Sequence, residues 1–122
     1  MSKFMKSHDV VAKAMALTIK NGGATLDART GEPITTGYAV GGIREFKFYI
    51  ARLEQLEEIE QAVRTIRSYH KNCAIGFWLD GSTLYVDAVN ITKYEDAARI
   101  VAETFGEIAY FNLDANEEIR VK

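Results

Sequence analysis

At 122 residues, with a formal net charge of −2 and nearly half its residues hydrophobic, the chain is the size of one domain and can bury a core without disulfides or metals. The weak acidic balance excludes the basic excess that a general nucleic-acid binder needs to displace counterions. The single cysteine, Cys73, excludes an intramolecular disulfide and points to a reducing cytoplasm.

The start, MSKFMKSHDVV, lacks the apolar run of a signal peptide. No stretch approaches the roughly 20 apolar residues that span a bilayer. The expected location is the cytoplasm of a cell, with no membrane partner.

Residues 8–21 read as a helix, with Val11, Ala14, Met15, Thr18 and Ile19 at helical spacing. Ser7 or Asp9 is the expected cap, and Asn21-Gly22-Gly23 the expected stop. "ATLDARTGEPITTGYAV" reads as two short strands around a turn at Thr30-Gly31-Glu32-Pro33. In residues 44–50, Phe46, Phe48 and Ile50 point one way and Glu45, Lys47 and Tyr49 the other, as in a half-buried strand.

Residues 53–70 carry the stripe Leu53, Leu56, Ile59, Val63 and Ile66, with charges mostly outside it. Glu60 and Arg64 are placed to pair across one helical turn. Asp80-Gly81, between two β-rich runs, signals a hairpin. A third helix is expected over 93–105, capped by Thr92, with Tyr94, Ala97, Ala98, Val101 and Phe105 inward and Gly106 as its stop. Residues 108–113 and 117–121 read as final strands.

This order predicts an α+β fold. Five to six mainly antiparallel strands form one sheet, with three helices packed mostly on one face.

"GEPITTGYAVGG" holds the only proline and four of the nine glycines. Gly37, Gly41 and Gly42 fit neither the P-loop nor the dinucleotide fingerprint. They read as a bulge or bend, leaving Thr36, Gly37 and Tyr38 as a candidate contact loop. In the hairpin, Leu84, Val86 and Ala88 form the better core face, so Tyr85 and Asp87 lie opposite, beside Trp78 or Phe77. Trp78, Tyr85 and Asp87 are therefore candidates for a recognition patch.

His8 and His70 lack metal-ligand spacing, so no metal site is expected. His70 suits a helix C-terminus, and Cys73 reads as a buried small hydrophobe. Arg44, Lys47, Arg52, Arg64 and Arg67, near Tyr49 and Tyr69, raise an RNA-binding alternative. Its contact candidates are Arg44, Lys47 and His70. No catalytic constellation and no cofactor motif stands out.

Three stretches carry a resemblance: "GGATLDARTGEPITTGYAV" (22–40), "IGFWLDGSTLYVDAV" (75–89) and "AYFNLDANEEIRV" (109–121). With them the chain resembles small uncharacterised proteins and domains encoded by bacteriophages, prophages and related mobile elements. The shared features are Gly37-Tyr38, a Trp78-x-Asp80-Gly81-x-x-x-Tyr85-x-Asp87 hairpin, and Asn112-Leu113-Asp114.

The resemblance implies an accessory role in a bacterial host and supplies no catalytic residues. The leading expectation is a non-enzymatic module that binds a host or phage protein. A toxin-like ribonuclease is one alternative, using Arg44, Lys47, His70, Tyr38 and Glu45. A homodimer built through a sheet edge or an apolar helix face is another.

Overall fold

The computed structural model describes residues 4–49 and 55–122. In chain order these form α1 (Ser7–Asn21), β1 (Gly23–Leu26), β2 (Tyr38–Tyr49), α2 (Leu56–Tyr69), β3 (Ala74–Asp80), β4 (Thr83–Thr92), α3 (Glu95–Thr104), β5 (Ala109–Asn112) and β6 (Glu117–Arg120). The expected strand end at Ile50, the expected helix start at Leu53, and Arg52 lie outside the described residues. The fold is α+β, with one sheet ordered β1-β3-β4-β2-β5-β6 and every pairing antiparallel.

Alternation in β4 sets the two faces of the sheet. Leu84, Val86 and Ala88 are fully buried, together with Ile75 and Phe77 of β3 and Phe48 of β2. Against them pack Val10, Val11 and Ala14 of α1, and Ile59, Ala62, Val63 and Ile66 of α2. The same face continues into a second cluster, where Ala98 and Ala102 of α3 meet Val40 and Tyr110. All three helices thus cover one face. Tyr110 Oη donates to Glu95 Oε2 at 2.6 Å and ties α3 to β5.

Several expected details are corrected. Residue 6, not Ser7 or Asp9, is the N-cap of α1, and it makes no side-chain capping bond. Ser7 instead accepts from Arg67 Nη1 at 2.9 Å. Ile19 points to solvent. Gly22 ends α1 in the left-handed conformation, its N–H donating to Thr18 O at 2.7 Å.

Thr92 is the last residue of β4, and its hydroxyl accepts from the Tyr94 N–H. Tyr94, not Thr92, is the N-cap of α3. Tyr94 and Phe105 are exposed, and the contact face of α3 is made by Ala98, Val101 and Ala102. Small side chains let the helix lie close to the sheet, so the bulky residues at its ends are left outside.

The second short strand expected within residues 24–40, which ends at Val40, and the one expected from Arg44 are a single strand, β2, which begins at Tyr38. Pairing with β4 runs from Tyr38↔Thr92 to Val40↔Asn90, then resumes at Arg44↔Ala88 with a register shift. Two extra residues are accommodated there, and Gly42 takes φ +89°. The glycine pair is a bulge inside a strand, a device that bends the strand without ending it.

Candidate functional site

The face of the sheet opposite the helices has two zones. At one end a small apolar cluster of Ala39, Ala74 and Val89 is closed by Ile34, Ile91, Phe111 and Leu113. The loop before β2 is held there. Pro33 bridges to Leu26, the Gly37 N–H donates to Asp114 Oδ2 at 2.8 Å, and the Leu113 N–H donates to Gly37 O at 2.9 Å. Gly37-Tyr38 and Asn112-Leu113-Asp114 therefore meet in space.

Tyr38 itself belongs to the helix-covered face. Its ring sits edge-on to Tyr110 at 6.0 Å and packs on the core under α3. Thr36 is exposed in the loop. The loop candidates thus lie apart from the zone that carries Trp78, Tyr38 on the opposite face and Thr36 and Gly37 in the loop at the other end.

The other zone carries two rows of side chains across β3, β4 and β2. Register aligns Trp78, Tyr85 and Lys47 in one row, and Gly76, Asp87 and Glu45 in the next. The Trp78 and Tyr85 rings are 5.8 Å apart at an interplanar angle of 32°. Lys47 Nζ lies 5.6 Å from the centre of the Tyr85 ring, within cation–π range. Trp78 is 54% exposed and Tyr49, farther along the same face, 66%. Phe77 points into the core, so Trp78 is the hairpin's partner for Tyr85.

The carboxylate row is built into gaps left by glycines. A Cβ on Gly41 would fall 2.2 Å from Asp87 Oδ2, one on Gly76 2.6 Å from Asp87 Oδ1, and one on Gly42 2.4 Å from Glu107 Oε1. Glu107, from the α3–β5 connection, thus joins Asp87 over the bulge. Burial, and then the negative charges of Glu45 and Glu107, push the Asp87 carboxyl up to about 7 against a stabilising bond from the Gly42 N–H. Burial and Glu45 also raise Glu107. Such shifts follow when carboxylates are desolvated beside like charges.

No ion pair to Asp87, Glu45 or Glu107 occurs among the described residues. Nor do the described residues contain a group of three or more His, Cys, Asp or Glu side chains arranged to hold a metal ion. Glu107 has no motif around it that would mark it in the sequence. Only the register and the bulge bring it to Asp87.

The RNA-contact candidates are separated. Lys47 is on the open face. Arg44 pairs with Ala88 on the opposite face, its guanidinium over Phe46 at 5.5 Å. His70 caps the C-terminus of α2, where its N–H donates to Ile66 O. Of the five groups weighed for a ribonuclease, Lys47 and Glu45 share the open face, Arg44 and Tyr38 lie on the helix-covered face, and His70 ends α2, so the set does not converge on one place.

No protein-family model matches the chain, and neither the curated proteins nor the solved structures give a match. Among the described residues no helix is long and apolar enough to cross a membrane.

Proposed function

We propose that this protein is a non-enzymatic binding module that engages another protein through the open face of its sheet. The observation that carries the reading is Trp78, more than half exposed and stacked on Tyr85 where no helix covers the sheet. An exposed tryptophan stacked on a half-buried tyrosine across a strand pair offers the residue types that dominate interface energetics. The resemblance to phage and prophage proteins makes the partner a host or phage protein in a bacterial cytoplasm, and the role an accessory one.

The test is affinity purification of the tagged protein from bacterial lysate, with and without nuclease. The expected result is one stoichiometric protein that survives nuclease, is lost with Trp78→Ala, and is kept with Thr36→Ala. Loss of every partner on nuclease treatment overturns the reading.

A second reading has one observation in its favour. Aromatic rings with a lysine on a sheet face are also how single-stranded RNA bases are stacked. Asp87, Glu45 and Glu107 in the next row oppose it, because phosphates are repelled there.

A further inference from the structure

We infer that the open face takes a basic segment of its protein partner, an arginine or lysine side chain lying across Trp78 and Tyr85 with its charge against Asp87, Glu45 and Glu107. This rests on the protein-binding reading above and names the chemistry of the partner.

Charge complementarity is the first argument. Three carboxyls converge on one uncovered face, and among the described residues none is paired with a lysine or arginine. The cation in the adjacent row, Lys47, places its ammonium over Tyr85 instead. Like charges brought together in a partly desolvated place raise the free energy of the unbound protein, and an incoming cation relieves that cost.

Geometry is the second argument. Residues two apart on a strand lie about 7 Å from each other on one face, so Asp87 is one side-chain length from Tyr85. Arginine combines a stem that lies on an aromatic surface with a planar head that carboxylates bind in pairs. Tryptophan is the strongest cation–π partner among side chains.

The groups around Asp87 also fix how binding responds to pH. Facing it are Glu45 from β2, the Gly42 N–H from the bulge, Glu107 from the α3–β5 connection, and Gly76 from β3, which brings no charge. Lys47 and Tyr85 flank it in the next row. Because the Asp87 proton is held up to about 7, a bound cation displaces it, and affinity rises as pH increases through neutrality.

Trp78 is the chain's only tryptophan, so its fluorescence reports on this face alone. The experiment titrates the full chain with short peptides of equal length carrying arginine, citrulline in place of arginine, or glutamate, and separately with spermidine and oligouridine. The arginine peptide is expected to give a saturable change, about tenfold weaker with citrulline, as for loss of a charge-assisted bond. Asp87→Asn and Glu107→Gln are each expected to weaken it about tenfold with unchanged circular dichroism. Asp87→Asn is also expected to flatten the pH dependence.

Equal binding of the citrulline or glutamate peptide overturns the basic-partner inference and leaves the protein-binding reading standing. Spermidine binding as tightly as the peptide replaces a protein segment with a free polyamine and overturns the inference. Binding of oligouridine alone overturns both the inference and the reading, and no response to any probe overturns the inference.

Discussion

Trp78 and Tyr85 face each other directly across the β3–β4 hairpin, and their rings lie 5.8 Å apart on the face that no helix covers. A cross-strand aromatic pair contributes on the order of 0.2–1 kcal/mol to a sheet. That is small beside what such rings contribute at an interface. Trp78→Ala is therefore expected to lower unfolding free energy by no more than about 1 kcal/mol while removing partner capture. Its neighbour Phe77, 2% exposed, behaves oppositely. Phe77→Ala leaves a cavity and is expected to cost about 3–5 kcal/mol. Urea unfolding of the two variants separates surface from core one residue apart.

Asp87 makes stability depend on pH. Its folded carboxyl titrates near 7, above its ordinary value of 3.8. Between those values the folded state holds a proton that the unfolded state has released. Stability from this group is thus complete in acid and is lost as pH rises through about 7. Glu107, raised as well, acts in the same direction. Asp87→Asn keeps an acceptor for the Gly42 N–H and removes the charge. It is expected to be more stable than the parent at about pH 8 by ~1–3 kcal/mol, with the gap closing towards pH 4. Thermal melts across that range check the sign, and a parent that gains stability from pH 5 to about 7 contradicts it.

How much of this face could be read from the sequence depended on whether alternation alone placed the residue. Leu84, Val86 and Ala88 against Tyr85 and Asp87 is a period of two within one strand, and it gave the correct faces. Asp80-Gly81 marks the hairpin but leaves Trp78 or Phe77 as the neighbour of Tyr85, and the observed register selects Trp78. Glu107 was not legible, because it enters from a connection and reaches Asp87 through tertiary placement. Composition alone splits β2 in two, because Gly41-Gly42 reads as a turn, whereas its neighbours on β4 hold it in register on both sides. Spacing alone puts Tyr94 and Phe105 inward, because hydrophobicity does not distinguish a close helix contact, which favours Ala98 and Ala102, from an exposed helix end.

The glycines of the bulge are expected to be coupled to the carboxylates they accommodate. Gly41→Ala would set a methyl 2.2 Å from Asp87 Oδ2, so one of the two must move. The single substitution is expected to cost about 1–3 kcal/mol, the usual range for overpacking. In an Asp87→Ala background the obstructing oxygen is gone, and the added cost is expected to fall below about 0.5 kcal/mol. Gly42→Ala differs, since φ +89° is itself unfavourable for alanine, and its cost is expected to persist when Glu107 is shortened. Denaturant unfolding of the cycle measures both terms, and strict additivity at Gly41 excludes a shared space.

Arg67 anchors the chain before α1. From α2 its guanidinium donates to Ser7 Oγ at 2.9 Å, to Arg29 O at 3.1 Å and to Met5 O, and it lies 4.1 Å from the centre of the Phe4 ring. The Met5 N–H in turn donates to Arg29 O at 2.9 Å. One planar head thus joins α2, the start of α1 and the turn after β1. Lysine carries the charge but cannot offer several fixed donors in one plane. Arg67→Lys and Arg67→Met are therefore both expected to lose about 1–3 kcal/mol of unfolding free energy, because backbone carbonyls lose a charged donor. The local readout is amide exchange. Met5 is expected to lose protection in both variants, while Val86, at the centre of β4, keeps protection relative to the global unfolding free energy. Rescue by lysine would show that charge alone holds the segment, and equal loss at Met5 and Val86 would show that Arg67 supports the whole fold rather than this junction.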